Sequence, residues 1–251
     1  PFVHEQVKLM GGDTEIAIFY NPLNYNSLET GVGTAKDHLN FYKVLLPLVE
    51  GYFQSPASAH IPRSGKVLFF SVFIDADPTQ PSRPRQINTN ARYSAIVNGH
   101  ETVHVFTRFG SVWMEEGTAE YVGIRMGIQA VAEHSDLSQK FGEDDFTSRY
   151  NLAGKRLVMY GYDKHLLKQM HDNNVGRTIQ TNAGFAFLYD LEQVIGEEAM
   201  HASYRELMKG GLTSDKAVYE TFRKHSASGK FQEYDALWET RVFGTERFGR
   251  I

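Results

Sequence analysis

The stretch HETVH at residues 100–104 constrains this chain of 251 residues more than any other segment. On a helix, residues four apart lie on one face, so His100 and His104 can direct both imidazole rings at the same metal ion. Glu101 then lies beside that ion, where a carboxylate can take a proton from a metal-bound water. The segment therefore predicts a helix that carries a metal site, and a chemistry of metal-assisted hydrolysis.

The composition narrows the kind of protein and the kind of metal ligand. A hydrophobic fraction of 41% and an aromatic fraction of 13% are typical of a folded globular protein. The formal net charge of -4 gives no electrostatic footprint for a nucleic acid, so we expect no nucleic-acid partner. The chain has no cysteine, which excludes disulfides, thiolate zinc ligands and a cysteine nucleophile. Any transition metal must therefore be held by histidine and carboxylate.

The sequence gives less information about where in or outside the cell the protein is found. It contains no run of about 18 apolar residues, so we expect no membrane span. The absence of cysteine is compatible with the cytosol and with a protein exported by a bacterium, and we favour export to the periplasm or the medium. The oligomeric state is not encoded in any motif.

Hydrophobic periodicity divides the chain into two halves of different character. We predict an N-terminal α/β subdomain over residues 1–109, which ends in the motif helix, and a C-terminal helical subdomain over residues 110–251. The N-terminal elements are a strand at 15–20, a helix at 34–53 that Pro47 kinks or interrupts, a buried strand at 66–74, a polar edge strand at 85–90, and the motif helix at 93–106. The C-terminal elements are a helix at 113–128 and further helices within 150–170, 183–195, 197–209, 213–225 and 231–242.

A catalytic zinc usually takes three protein ligands, and the third must come from outside the HETVH stretch. The metzincin continuation would need a histidine six residues after His104, where this chain has Gly110. Residues 113–121 instead read WMEEGTAEY. This resembles the WxxEGxAEY signature of the gluzincin (MA clan) zinc metallopeptidases, found in peptidase-MA-like domains, in bacterial collagenases and, in looser form, in M1 aminopeptidases. The resemblance implies that Glu116 is the third zinc ligand.

The same resemblance implies a thermolysin-like, two-lobed α+β fold, with the mixed lobe N-terminal and the helical lobe C-terminal. Glu120 lies four residues after Glu116, on the same helical face, where it can accept a hydrogen bond from the free ring nitrogen of a ligating histidine and so fix the orientation of that ring. Glu115 is rotated by about 100° on the helix and is the weaker ligand candidate. Gly117 allows another backbone to approach closely.

The group that stabilises the oxyanion is less clearly marked. In M1 enzymes and collagenases a tyrosine does this, and here the matching position is Thr181 or Asn182. We predict Asn182 as this catalytic residue. Other side chains in the region that can donate a hydrogen bond are Tyr160, Tyr162, His165, His171, Tyr189 and His201.

Together these features predict a zinc-dependent peptidase that acts on a peptide or protein, with Glu101 as the general base. The GxMEN exopeptidase motif of M1 aminopeptidases is absent, which favours an endopeptidase. The substrate backbone is expected to pair with the polar edge at residues 85–90. Two alternatives remain open: a catalytically inactive relative that serves as a binding or scaffold domain, and a metallohydrolase that acts on a non-peptide amide.

Overall fold

The computed structural model describes residues 2–10, 12–20, 32–55, 68–74, 86–89, 94–141, 145–210 and 213–244. Its contacts divide the chain into two compact units. The first comprises Pro1–Thr107 and Val122–Asp144, and the second comprises Arg108–Tyr121 and Asp145–Ile251. The first unit holds a β-sheet and helices, and the helices predominate in the second, so the fold is α+β. The contacts thus assign residues 122–144 to the first unit, whereas the sequence places them after the predicted boundary at 109.

Among the described residues, the sheet of the first unit has four strands in the order β1-β2-β3-β4. Strands β1 (Phe2–Leu9) and β2 (Gly12–Phe19) form an antiparallel hairpin, and β3 (Leu68–Ile74) and β4 (Gln86–Thr89) follow in parallel. Ile16, Ala17 and Ile18 are fully buried. Because successive strand residues point to opposite faces, β2 is covered on both faces.

Within the described residues, the predicted strands at 15–20, 66–74 and 85–90 are confirmed as β2, β3 and β4. In this part of the chain β4 is the end strand of the sheet, in agreement with the edge-strand prediction. Arg85 and Asn90, together with the burial of the β3 side chains, lie outside the described residues. Strand β1 was not predicted, because its polar and mostly exposed side chains show no clear alternation.

Helix α1 (Val32–Phe53) packs against the β1–β2 hairpin. The predicted interruption at Pro47 is wrong, because the helix continues through it. Pro47 removes one backbone donor, but the fully buried Leu45, Leu46 and Val49 on either side keep the helix against the core.

The motif helix α2 (Ala95–Val103) begins at a capping residue, Ser94, whose Oγ accepts a hydrogen bond from the Val97 amide at 3.3 Å. The predicted helix at 93–106 ends too late. The amides of Val105 and Phe106 bond to the carbonyls three residues back, which tightens the chain and ends the α-helix at Val103. His104 retains right-handed helical angles (φ -58°, ψ -19°), so its relationship to His100 is still that of helical neighbours.

Within the first unit, α2 packs directly against the C-terminal part of α3 (Val112–Ala132). A Cβ at Gly99 would lie 2.1 Å from the Gly123 carbonyl oxygen, and a Cβ at Gly127 would lie 2.5 Å from the Ala95 carbonyl oxygen. These two contacts show that α2 and α3 run in opposite directions. They also show that only glycine allows the two backbones to come this close.

The remaining helices are α4 (Ser135–Phe141) in the first unit, and α5 (Phe146–Met159), α6 (Leu167–Asp172), α7 (Arg177–Ile195), α8 (Glu197–Leu207), α9 (Asp215–His225) and α10 (Phe231–Trp238) in the second. The second unit has an aromatic core in which Trp113 meets Phe187 and Trp238 edge-to-face, at ring distances of 5.6 and 6.2 Å. Among the described residues, no helix is long and apolar enough to cross a bilayer.

Candidate metal centre

The two histidines of the HETVH stretch converge as the sequence predicts. The Nε2 atoms of His100 and His104 lie 3.1 Å apart, with the rings nearly perpendicular at 79°. Two imidazole nitrogens that bind one tetrahedral zinc ion at about 2.05 Å stand about 3.3 Å apart. Both side chains are partly exposed, so an ion can reach them from solvent. The pair is therefore spaced to share a metal.

Glu116 owes its position to the way the start of α3 is anchored in the second unit. Trp113, three residues earlier, is fully buried in the aromatic core. Asp215 accepts a hydrogen bond from the Ser111 hydroxyl at 2.6 Å and a longer one, at 3.4 Å, from the Trp113 indole. These contacts fix the first turn of α3, from which Glu116 projects one turn after the buried indole.

The third ligand then follows from the continuity of α3. Glu116 and Gly123 are seven residues apart, so they lie within about 20° of one another on the helix. Gly123 contacts α2 at Gly99. His100, His104 and Glu116 each offer one ligand atom, and these atoms all lie within 4.8 Å of one another. The three predicted ligands can thus hold one metal ion.

Glu116 is a buried carboxylate with cationic and polar neighbours. Only 8% of its side chain is exposed. The Arg177 Nε lies 3.4 Å from Oε1, and the Thr181 Oγ1 lies 3.5 Å from Oε2. Both neighbours come from the first two turns of α7, where positions four apart share a face. A buried carboxylate requires a compensating positive charge, and a bound metal ion would supply most of it.

Glu101, the predicted general base, lies one residue after the first ligand and is partly exposed. Burial raises the pKa of the Tyr42 phenol well above its ordinary value, and the negative charge of Glu101 raises it further. The Tyr42 hydroxyl donates to Asn98 Oδ1 at 2.8 Å, inside the first unit. Tyr42 is therefore a neutral phenol whose hydrogen bond to Asn98 connects α1 to α2.

The neighbours of Glu116 on α3 have distinct contacts. Glu120 accepts a hydrogen bond from Arg149 at 2.9 Å, which the sequence did not indicate, and its predicted bond to a ligating histidine stays a prediction. Glu115 accepts from the Phe109 amide at 2.8 Å, a role in the chain turn before α3. The close approach predicted at Gly117 is confirmed: a Cβ there would lie 2.7 Å from the Gly184 Cα.

The structure places Thr181 rather than Asn182 beside the third ligand. Asn182 is 9% exposed, and its Nδ2 donates to the Thr178 carbonyl of its own helix at 2.6 Å. Its role at the oxyanion stays a prediction. Among the other candidates, Tyr189 stacks on Tyr150 at 4.1 Å, and Nδ1 of His171 accepts from the Val112 amide at 3.4 Å. Arg177 was not among the predicted site residues, because nothing in its local sequence links it to Glu116.

No known protein-family profile and no curated protein sequence matches this chain. Solved structures do. An M1 zinc metallopeptidase from Deinococcus radiodurans matches with a TM-score of 0.61 and 14% sequence identity, over 96% of this chain and 52% of that one. The chain shares its fold with about half of an M1 zinc metallopeptidase.

Two further structures of M1 zinc metallopeptidases match in the same way. One is a Glu-to-Ala variant from Deinococcus radiodurans bound to a Tyr-Ser-Ala substrate, with a TM-score of 0.62, 15% identity and coverage of 96% of this chain and 52% of that one. The other is a two-domain variant bound to L-tryptophan, with a TM-score of 0.62, 14% identity and the same coverage. The M1 likeness thus establishes the fold, and this chain spans about half the length of the structures it matches.

Proposed function

We propose that this protein is a zinc-dependent peptidase that cleaves internal peptide bonds. The observation that carries the proposal is the grouping of His100, His104 and Glu116, whose ligand atoms lie within 4.8 Å of one another. The solved structures that share this fold include M1 zinc metallopeptidases, and one of them is bound to a Tyr-Ser-Ala substrate. The two units are our candidates for the two lobes of the thermolysin-like architecture that the sequence predicts.

The donor set fits zinc rather than a harder cation. Two imidazoles and one carboxylate are the protein ligands of catalytic His₂Glu zinc sites, which keep a fourth position for water. Magnesium and calcium prefer sites made of oxygen atoms, and their coordination numbers are higher. The separation of 3.1 Å between the histidine nitrogens also suits a small tetrahedral ion.

Glu101 is the group that moves the proton. Zinc, when bound, lowers the pKa of a coordinated water towards about 7 and polarises the substrate carbonyl. The Glu101 carboxylate takes a proton as the water oxygen attacks the carbonyl carbon. It then delivers this proton to the leaving amine as the C–N bond breaks. Its partial exposure leaves it accessible to a substrate at this point.

The outer edge of β4 is the proposed binding site for the substrate backbone. Among the described residues of the first unit, β4 is the end strand of the sheet. Helix α2, which carries His100 and is followed directly by His104, packs against it. An extended peptide can add to such an edge through main-chain hydrogen bonds. This mode needs no free terminus and, with the absence of a GxMEN motif, supports an endopeptidase.

The test of the proposed function is cleavage of a library of peptides blocked at both ends, followed by mass spectrometry, with the zinc-loaded protein and after chelation. We expect cleavage at internal bonds that chelation abolishes. Glu101→Gln should bind zinc normally and lose about 10²–10⁴ in turnover. Glu133→Gln is the matched control, since this exposed glutamate bonds only locally, to Gln129 at 2.8 Å, and should leave turnover unchanged.

Three results would contradict the proposal. Zinc binding without cleavage of any peptide would favour a binding or scaffold domain. Cleavage confined to non-peptide amides would favour the other hydrolase class. No cleavage of the blocked library, with cleavage of the same peptides after their N-termini are unblocked, would replace the endopeptidase by an exopeptidase.

The ligand assignment has its own test. Glu116→Gln should lower the zinc stoichiometry measured by metal analysis, because a neutral amide is a much poorer ligand. Glu115→Gln, one residue away, keeps an oxygen for the Phe109 amide and should retain zinc. Full zinc occupancy in Glu116→Gln would show that another group is the third ligand.

A further inference from the structure

Arg177 is an exposed cation held beside a buried metal-ligand candidate. Its Nε lies 3.4 Å from Glu116 Oε1, and 69% of the arginine side chain is exposed against 8% of the glutamate. Both residues belong to the second unit. Arg177 is the first residue of α7, and its carbonyl accepts a hydrogen bond from the Thr181 hydroxyl at 3.0 Å. The backbone at Arg177 is therefore fixed, while the end of the side chain extends into solvent.

The ion pair alone does not account for an arginine at this position. A contact of 3.4 Å is longer than the usual charge-assisted hydrogen bond of about 2.7–2.9 Å. Ion pairs with one strongly exposed partner contribute little, because water screens them and ordering the side chain costs entropy. Nε is the atom nearest Glu116, so the two terminal nitrogens of the planar guanidinium are left to donate to another group.

A bound zinc ion weakens the attraction between Arg177 and Glu116 further. Two neutral imidazoles, one carboxylate and a divalent ion carry a net charge of +1, so the cluster no longer attracts a cation. The guanidinium then gains most from an anionic group supplied by the substrate. Arg177 is the first residue of α7, so the positive end of the helix dipole lies at the same residue. Gly176 before it provides no side-chain cap.

We propose that Arg177 is the catalytic residue that stabilises the oxyanion, since the position that matches the tyrosine of the M1 enzymes is Thr181 or Asn182. This inference rests on the proposed peptidase function. As the water oxygen bonds to the carbonyl carbon, the π electrons of the C=O bond move to its oxygen. The Arg177 guanidinium donates a hydrogen bond to that oxygen without transferring a proton. When the carbonyl re-forms, the C–N bond breaks and the amine leaves with the proton held by Glu101.

In this role the Arg177 guanidinium binds the negative charge of the transition state more strongly than the neutral carbonyl of the substrate. Loss of one donor of this kind typically costs about 10²–10³ in kcat. A donor that acts only on the developing charge lowers kcat and leaves KM nearly unchanged, whereas a group that binds a substrate carboxylate raises KM. A residue that only positions Glu116 changes zinc affinity instead. These three roles therefore give different measurements.

The experiment compares zinc-loaded wild type, Arg177→Met, Arg177→Lys and the control Lys230→Met. Lys230 is 46% exposed and pairs with Glu233 on α10, so the control removes one exposed positive charge away from Glu116. The readouts are zinc affinity, kcat and KM on the best peptide of the library, and calorimetric affinity for a phosphinic analogue of that peptide. The phosphinate replaces the scissile amide and carries the tetrahedral negative charge.

For Arg177→Met we expect unchanged zinc affinity, a loss of about 10²–10³ in kcat, and a comparable loss in affinity for the phosphinic analogue. Arg177→Lys should recover at least about tenfold of the kcat, because it restores the charge but not the planar fork. Lys230→Met should match the wild type in all readouts.

Four results would overturn the proposal. The first is a raised KM with unchanged kcat, which assigns Arg177 to binding of a substrate carboxylate. The second is a lowered zinc affinity with activity restored by excess zinc, which assigns it to positioning Glu116. The third is wild-type behaviour of Arg177→Met. The fourth is a wild type that cleaves no peptide, which removes the proposed function itself and is recognised before any variant is compared.

Discussion

Gly117 of α3 and Gly184 of α7 bring two helix backbones into direct contact within the second unit. A Cβ built on Gly117 would lie 2.7 Å from the Gly184 Cα, and one built on Gly184 would lie 2.1 Å from the Trp113 carbonyl oxygen. The start of α7, with Arg177 and Thr181, is thereby set against Glu116. Two glycines thus determine which groups surround Glu116, the predicted third ligand.

Gly184→Ala should destabilise the protein, because the new methyl group meets backbone that cannot move aside alone. Overpacking of this kind costs about 1–3 kcal/mol in the free energy of unfolding. Urea denaturation followed by circular dichroism measures this change. Gly154→Ala is the matched control, since a Cβ at this helical position has nothing within 4 Å and should stabilise by about 0.5–1 kcal/mol. Equal stability of the two variants would contradict the packing argument.

Gly99→Ala should weaken zinc binding, because its Cβ would lie 2.1 Å from the Gly123 carbonyl oxygen and must push α2 away from α3. The two histidines move with α2, while Glu116 stays on α3. We expect at least a tenfold weaker zinc affinity by competition with a chelator, as is typical when the support of a ligand is altered. Gly51→Ala on α1, with nothing within 4 Å of its Cβ, should retain zinc. Retention of full affinity by Gly99→Ala would show that α2 can shift without moving its histidines.

Tyr42→Phe removes the hydroxyl that donates to Asn98 Oδ1 at 2.8 Å. Both residues are fully buried, so the amide oxygen loses this donor where water cannot replace it. We expect the free energy of unfolding to fall by about 1–3 kcal/mol. Tyr160→Phe is the control, because Tyr160 is 53% exposed and water replaces its hydroxyl contacts. A loss in Tyr160→Phe as large as that in Tyr42→Phe would contradict the role of the buried bond.

Stability should fall as the pH rises from about 10 to 12. Burial, together with a hydrogen bond to a carboxylate, raises the pKa of Tyr150 and of Tyr219 to about 12, from an ordinary value of 10.0. Below pH 10 the phenols are protonated in both states and the stabilisation is complete. Above pH 10 the unfolded chain loses these protons first, and the stabilisation disappears as the pH passes the folded values.

The measurement for this prediction is the urea midpoint at a series of pH values, with tyrosinate absorbance followed in parallel. A variant with Phe at both positions should show a flatter decline than the wild type. The same slope in both proteins would show that other groups control alkaline unfolding. The hydroxyls of Tyr150 and Tyr219 also donate to Asp190 and Asp235, both at 2.7 Å. The loss of these bonds lowers the stability of the variant at neutral pH, whereas the loss of the titration changes only the slope above pH 10.

The parts of the site that the sequence predicted well are those set by short-range helical geometry. The convergence of His100 and His104 depends on a spacing of four residues, and it survives although α2 ends at Val103 rather than 106. The projection of Glu116 depends on one turn after Trp113. Such relationships need only a helix, which the local pattern indicates. Strand β1 was missed for the converse reason, since an exposed polar strand has almost no periodicity.

The sequence by itself therefore determined the three candidate metal ligands, the helices that carry the two motifs and the α+β class. Only the tertiary structure decided that Arg177 lies beside Glu116, that Thr181 rather than Asn182 faces it, and that Arg149 bonds Glu120. These contacts join positions 29 to 65 residues apart along the chain. These long-range contacts form because glycine allows the helices to pack closely. The hydrophobic periodicity of one helix does not indicate which other helix packs against it.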